Sequence, residues 1–278
     1  MKNRCPPCQP GSSMNATHEI AVRRAEVKDA EILTGICKRA FDSDSEVGAP
    51  GLGGPPGYDS VAWNSSRISN QYLQYYKILR GSDIVGGFIA GDRGPGYQVC
   101  ERIWVDPDYM RKGIGEKAFE MIWQGYPSAE LWALGTPEWN VRTNPFYRKL
   151  GFVQIGKTHD LPQWSGNYYE KRITKGFPRA MSMIGDLHNG QNQIVVEGHV
   201  ESMSSPRTVS SRETGEALKV VNAELTDETG SIRLVLWNDQ IRQVAADSRI
   251  RIEDGYVKDY RDETQLAIGQ WGVIITLL

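Results

Sequence analysis

Three stretches of the chain hold residues whose types and spacing suit chemistry. The first, Val105-Asp-Pro-Asp-Tyr-Met-Arg-Lys-Gly-Ile-Gly-Glu-Lys-Ala118, runs from an apolar strand through a loop into a helix, with Gly113 and Gly115 at the first helical turn. Missing Cβ atoms let a ligand lie against the backbone there. The unpaired N–H groups and positive dipole end of the helix suit a phosphate. Arg111 and Lys112 add positive charge beside it. The same residues satisfy the dinucleotide fingerprint GxGxxA, but that fingerprint opens its domain directly after the first strand, whereas here about 90 residues come first.

The second stretch, Asn140-Val-Arg-Thr-Asn-Pro-Phe-Tyr147-Arg-Lys-Leu-Gly151-Phe152, offers a phenol, Tyr147, which reads either as a proton donor or as a ring packed behind Phe146 and Phe152. Glu101 shares a strand face with Ile103 and Val105 by the period of two, so it is either functional or held in a salt bridge; Glu138 stands behind it as a second carboxylate. The third stretch is aromatic. In Ser231-Ile-Arg-Leu-Val-Leu-Trp237 the aliphatic Ile232, Leu234 and Leu236 fill an interior, which leaves Arg233, Val235 and Trp237 outside. Ile250 and Ile252 set the phase of the next strand, and a bulge at Gly255 resets it to Val257 in and Tyr256, Lys258 and Tyr260 out. Exposed rings interleaved with cations suit single-stranded nucleic acid, with Arg207, Arg212, Lys219 and Arg261 as further cations; the alternative is a ring packed under a loop and a protein interface. Cys5-Pro-Pro-Cys8 has metal or redox spacing but no second ligand pair, and reads as part of a disordered tail or as half of an intermolecular metal site.

These residues must be positioned by two kinds of domain. From Ile20 the pattern alternates strand and helix: Leu33, Ile36, Cys37, Ala40 and Phe41 form one helical stripe, a hairpin turns at Gly81-Ser-Asp83, QVCERIWV ends at Val105, and Ile114, Ala118, Met121 and Ile122 mark a second helix. Between Gly48 and Gly57 eight residues of ten are Gly or Pro, so that segment is either a lid or a surface insert. After Lys175 only strands remain, in five runs, the strand count of an OB barrel. The expected division is a tail over 1–17, an α/β domain over 18–175, a linker over 176–181 and a barrel over 182–278. The fold class is thus α+β, a mixed sheet with helices followed by a five-stranded all-β barrel.

A chain of 278 residues accommodates two such domains, and 24% charged residues with 40% hydrophobic ones exclude collagen, coiled coil and wholesale disorder. The apolar run from Gly272 to Leu278 is too short to span a bilayer, and four cysteines are too few for a disulfide scaffold, so a soluble cytoplasmic protein without a membrane partner is expected. Net charge −2 gives no global pull toward nucleic acid. From Arg179 onward ten Lys and Arg stand against fifteen Asp and Glu, so the barrel half is the acidic one.

VDPDYMRKGIG followed by Asn140 and Tyr147 resembles the GNAT superfamily of acetyl-CoA-dependent N-acetyltransferases over residues 19–174. The resemblance implies that backbone groups of Ile103, Trp104 and Val105 pair with the pantetheine, that Arg111, Lys112, Gly113, Ile114, Gly115 and Glu116 wrap the pyrophosphate, and that Asn140 and Tyr147 contact the cofactor. It makes Tyr147 the general acid for the leaving thiolate and Glu101 a candidate base, while Met110 departs from the family's Gln or Arg. Residues 182–278, with Met183-Ile-Gly-Asp-Leu187, Asp227-Glu-Thr-Gly-Ser-Ile232 and Ile252-Glu-Asp-Gly-Tyr256-Val-Lys-Asp-Tyr260, look like the OB domain of archaeal single-stranded DNA-binding proteins and replication protein A. There the resemblance implies that Trp237, Tyr256 and Tyr260 stack on bases, with Arg233 and Lys258 beside them. The combined expectation is an acetyl-CoA-dependent N-acetyltransferase tethered to a module that binds single strands, DNA more than RNA. The alternatives are a binding protein whose transferase half is catalytically weak, and a small-amine acetyltransferase whose OB domain docks a protein.

Overall fold

Leu33, Ile36, Cys37 and Ala40 recur at helical spacing, and all four are buried on one side of α1 (Ala30–Asp42). In the computed structural model, which describes residues 19–161, 164–210 and 214–278, α1 follows the edge strand β1 (Ile20–Arg24). A further helix, α2 (Val61–Ser69), follows the Gly-Pro segment and is capped by the Ser60 side chain, which accepts from the Trp63 amide. Then come the antiparallel strands β2 (Leu73–Arg80), β3 (Asp83–Gly94) and β4 (Tyr97–Val105). The helix α3 (Ile114–Gln124) leads to β5 (Leu131–Pro137), and α4 (Thr143–Lys149) to the hairpin β6 (Val153–Leu161) and β7 (Trp164–Arg172). The strand order is β1-β2-β3-β4-β5-β7-β6. One face carries α3 and α4 over Phe88, Trp132 and Phe152, and the other carries α1 and α2 over Tyr75, Ile89 and Trp104.

The second domain starts with the two-residue strand β8 (Met181–Ser182) against β9 (Ile194–Met203). β10 (Arg207–Ser210), β11 (Ala217–Asp227), β12 (Gly230–Trp237), β13 (Arg249–Tyr260) and β14 (Glu263–Leu277) complete it. β9, β11, β12, β14 and β13 close into a ring. Alternation works as the sequence implies: Ile232, Leu234, Leu236, Ile250, Ile252 and Val257 are buried in the barrel, and the register of β13 shifts between Glu253 and Gly255. Cys5, Cys8, the rest of the expected tail and Arg212 lie outside the described residues.

The two domains share one sheet. The end of β14 pairs antiparallel with β6, Ile275 opposite Thr158 and Leu277 opposite Gly156. A Cβ on Gly156 would lie 2.3 Å from the Thr276 carbonyl oxygen, so only glycine lets the strands come this close. Tyr97, Val99, Leu131 and Tyr168 of the first domain share a buried cluster with Ala180, Met181, Val195 and Ile275. The apolar run Gly272–Leu278 is therefore the seam between domains, and the expected linker ends in buried residues. Into this seam β13 projects two charged residues, each 1% exposed, Arg251 and Glu253. Arg251 Nη2 lies 2.7 Å from Glu170 Oε2 and 2.6 Å from Glu197 Oε1, while Glu253 accepts from both the Tyr97 and Tyr168 hydroxyls. Burial pushes the Glu253 carboxyl up, opposed by Arg251 and the two tyrosines. Burial also works against the Arg251 charge, but Tyr97, Glu170, Glu197 and Glu253 outweigh it and hold the guanidinium more firmly protonated than usual.

Candidate active site and nucleic-acid interface

Parallel pairing of β4 with β5 runs only from Tyr97 opposite Leu131 to Val99 opposite Ala133. Beyond that the strands part, and Ile103, Trp104 and Val105 border a cavity of about 360 Å³ that also takes in the start of α3, Phe41, Asp44, Arg142 and Tyr147. On its other side β4 is paired with β3 through Trp104 and Val105, so its second edge faces the opening with main-chain groups not used by the sheet.

The turn before α3 is built by backbone conformation. Gly113 caps the helix at φ 76°, and an added Cβ there would meet nothing within 4 Å, so glycine is required for its conformation and not for space. Arg111 also has a positive φ, 58°. The first-turn N–H groups of α3 have no intrahelical partners and open on the same cavity, which Arg111, Gly113, Ile114, Gly115 and Glu116 line. Glu116 pairs with Lys149 at 2.6 Å. Lys112 does not line the cavity; its Nζ donates to the Asp108 carbonyl at 2.7 Å and sits over the Tyr109 ring.

Tyr147 is packed among aromatic rings and also borders the cavity. It is 6% exposed, and the rings are those of Phe119, Phe146 and Phe152. Burial raises its hydroxyl well above the ordinary value of 10, with Cys100 and Asp44 adding to the effect, so the phenol stays protonated.

Glu101 lies elsewhere. The register of β3 and β4 passes from Ile89 opposite Arg102 to Ala90 opposite Cys100, so Glu101 is the extra residue of a bulge. The bulge breaks the period of two on which the expected shared face with Ile103 depends. The carboxylate sits instead against Gly91, with Arg93 at 3.5 Å and Arg67 of α2 at 3.9 Å. Glu138 is exposed and bound to Lys157 at 2.6 Å and to the Ser165 hydroxyl, contacts that hold its carboxyl below the usual range. Asn140 is buried, and its Oδ1 accepts from the amides of Arg142 and Thr143 at 3.1 and 3.0 Å in the turn that leads into α4, with the side chain outside the cavity lining.

Asp44 and Arg142 escape the sequence reading because no periodicity or motif marks either one. Asp44 stands in the turn Ser43–Val47 after α1, 7% exposed, and forms an ion pair with Arg142 at the cavity wall. Burial raises its carboxyl despite Arg142 and Asn140. The Gly-Pro segment packs alongside: a Cβ on Gly54 would meet the Tyr58 ring and Phe41, and one on Gly48 the Trp139 carbonyl oxygen.

On the barrel, β14 runs between β12 and β13, and two rows cross all three strands. Arg233, Gln265 and Lys258 form one, and Val235, Ala267 and Tyr256 the other. Since Leu234, Leu266 and Val257 point inward, both rows point away from the barrel interior; Gln265, Val235 and Ala267 at their centre are themselves buried, and Arg233, Lys258 and Tyr256 are half-buried. Trp237 extends the second row's side of β12, and Tyr260, 46% exposed, lies opposite Glu263 beyond the first. Lys258 Nζ lies 5.5 Å from the Tyr256 ring centroid, and the Arg261 guanidinium lies 5.3 Å from that of Tyr260. Arg233 is tied to Glu263.

Residues 71–154 match the acetyltransferase (GNAT) domain family, and residues 186–276 match the family of single-stranded DNA-binding protein Ssb-like OB folds. This chain thus carries a GNAT acetyltransferase domain at 71–154 and an Ssb-like OB domain at 186–276. A curated relative, the uncharacterized protein YrkN of Bacillus subtilis (strain 168), is 29% identical over 79 residues, which is 28% of this chain and 43% of YrkN. The chain thus spans less than half the length of that relative. Among solved structures, an acetyltransferase from Thermus thermophilus is similar at 16% identity and a TM-score of 0.48, covering 56% of this chain and 99% of its own. A replication factor A related protein from Methanobacterium thermoautotrophicum is similar at 26% identity and a TM-score of 0.31, covering 36% of this chain and 92% of its own. Among the described residues no helix of the GNAT–OB chain is long and apolar enough to cross a membrane, and no cluster of His, Cys, Asp and Glu suits a metal ion.

Proposed function

We propose that the protein transfers an acetyl group from acetyl-CoA to an amine, and that its OB face binds single-stranded nucleic acid, so that the acceptor amine belongs to a protein or nucleic acid held there. The observation that carries the transferase reading is the parting of β4 from β5 beside the Gly113 turn, with Tyr147 in the same cavity. The pantetheine arm pairs with β4 at Ile103 to Val105 as an added strand would, and the pyrophosphate takes the first-turn amides of α3, with Arg111 contributing charge.

The chemistry requires two proton movements. An ammonium has no lone pair, and a lysine of pKa ~10.4 is neutral only about once in 10³ molecules at pH 7. The amine must lose one proton, its nitrogen then bonds to the thioester carbonyl carbon, and the C–S bond breaks to leave a thiolate. Tyr147 supplies the proton for that thiolate. Asp44 rather than Glu101 faces the cavity, and its raised pKa brings it nearer the range in which it accepts a proton from the amine. The OB reading rests on the outward rows of Tyr256, Lys258 and Arg233 beside Trp237.

Calorimetric titration with acetyl-CoA, an amine and peptide acetylation screen, and tryptophan quenching by oligo-dT across a salt series test the two halves separately. Binding of acetyl-CoA with transfer to at least one amine, and quenching that weakens with salt, are expected. Binding without transfer to any amine overturns the enzymatic half, and no quenching at low salt overturns the nucleic-acid half.

A further inference from the structure

We infer that Trp271 is a fourth base-stacking residue, which carries a single strand off the three-aromatic face of the barrel toward the transferase. The inference rests on the nucleic-acid reading above. Trp271 is 68% exposed, an unusual state for the largest apolar side chain. It stands in an irregularity of β14: Ile268 pairs with Gly255 and Val273 with Glu253, so the residues between them on β14 outnumber their counterparts on β13 and bulge outward.

Glycines enforce the bulge. A Cβ on Gly269 would lie 2.4 Å from the Asp254 carbonyl oxygen, and one on Gly272 would lie 2.4 Å from the Ile268 side chain. The chain doubles back too tightly there for any other residue, and Trp271 is left at its outside.

The register then says what lies around it. β12 and β14 are parallel with Val235 opposite Ala267, so Trp237, two residues on, is level with Gly269 at the start of the bulge. On the other side, Tyr256 pairs with Ala267 just before it. Trp271 therefore stands on the middle strand, four residues past the Tyr256–Ala267 pair, toward the seam end of the face that carries Trp237 and Tyr256. Tyr260 marks the opposite end, beyond the row of Arg233 and Lys258.

Past Trp271 the same strand enters the seam, with Val273 and Ile275 packed against the transferase, and the turn Asn238–Gln243 that follows Trp237 packs on both β14 and β6. A strand stacked from Tyr260 to Trp271 thus runs along one track whose end is the domain boundary. The occupant that fits flat rings alternating with Lys258 and Arg233 is a single-stranded oligonucleotide, for which each added ring lengthens the site.

The test uses the full chain and a length series of oligo-dT spanning about 4–16 nucleotides, the usual range for one OB fold. Trp271→Ala should weaken binding of the longer oligonucleotides by about tenfold, leave the shortest ones that bind unaffected and shorten the measured site, while Trp271→Phe should restore the site length. Unchanged thermal unfolding of Trp271→Ala is the control for folding. If Trp237→Ala weakens binding and Trp271→Ala does not, the Trp271 inference is overturned and the nucleic-acid reading stands. If the unaltered chain binds no oligonucleotide at low salt, both are overturned.

Discussion

Two places in one continuous sheet treat a strand edge in opposite ways. Where β4 leaves β5 after Val99, the edge stays open and a cavity forms beside it. Where β6 would otherwise end the sheet, β14 of the OB domain is laid against it and Gly156 brings the backbones together. An unpaired edge is a template for another chain. The molecule satisfies one with its second domain and leaves the other open beside a cavity. A second domain joined in this way is docked, since buried charges and a shared apolar cluster hold it, and its row of outward rings has a defined place relative to the cavity beside β4. The two edges also differ in chemistry: the seam adds buried charges and an apolar cluster to its main-chain pairing, whereas the open edge offers main-chain groups beside a cavity that Tyr147 lines.

The largest expected effect is at the seam. Arg251→Ala removes the guanidinium between the buried Glu170 and Glu253, leaving Arg172 and Arg93 as their remaining cations, and should cost about 3–5 kcal/mol, read as a fall in the denaturant midpoint. A loss under about 1 kcal/mol would mean that the seam is wet and the domains are free to separate.

At the open edge, Tyr147→Phe should lower kcat by about 10²-fold or more while acetyl-CoA affinity is kept, because only the proton to the thiolate is removed. The pH profile sharpens this. The Tyr147 hydroxyl is pushed above its ordinary value of 10, so the acid form persists and turnover should climb with pH as the amine deprotonates, without an alkaline fall below pH ~10. A falling limb near pH ~8 assigns the acid to another group.

The smallest effect is expected for Arg111→Ala. The side chain is exposed, and the main-chain groups do most of the holding, so acetyl-CoA affinity should drop only a few-fold and the difference should vanish in high salt. A loss of a hundredfold would mean that side-chain charge, not the turn, holds the pyrophosphate.

Much of this was legible in the sequence because it depends on local pattern. The Gly113 turn needs only its own φ, and the inward phase of Ile232, Leu234 and Leu236 needs only the pleat. Glu101 was misleading because one extra residue in β4, invisible to a count by twos, turns its carboxylate toward Arg93 and Arg67. Asn140 fits the family spacing, yet its Oδ1 is taken up by the Arg142 and Thr143 amides ahead of α4. Asp44 and Arg142 are far apart in the chain and meet only because the end of α1 and the start of α4 border the same opening.

The sequence by itself therefore determined which elements form, which face of each is apolar, and where a tight turn and a row of rings occur, since these follow from side-chain periodicity and backbone conformation over a few residues. Only the tertiary structure decided what each face meets. Arg251 and Glu253 alternate with Ile250 and Ile252 as an ordinary outward-facing pair, and they are buried because another domain's tyrosines and Glu170 cover them. Long-range partners are set by the packing of whole elements, and no short stretch of residues carries that information.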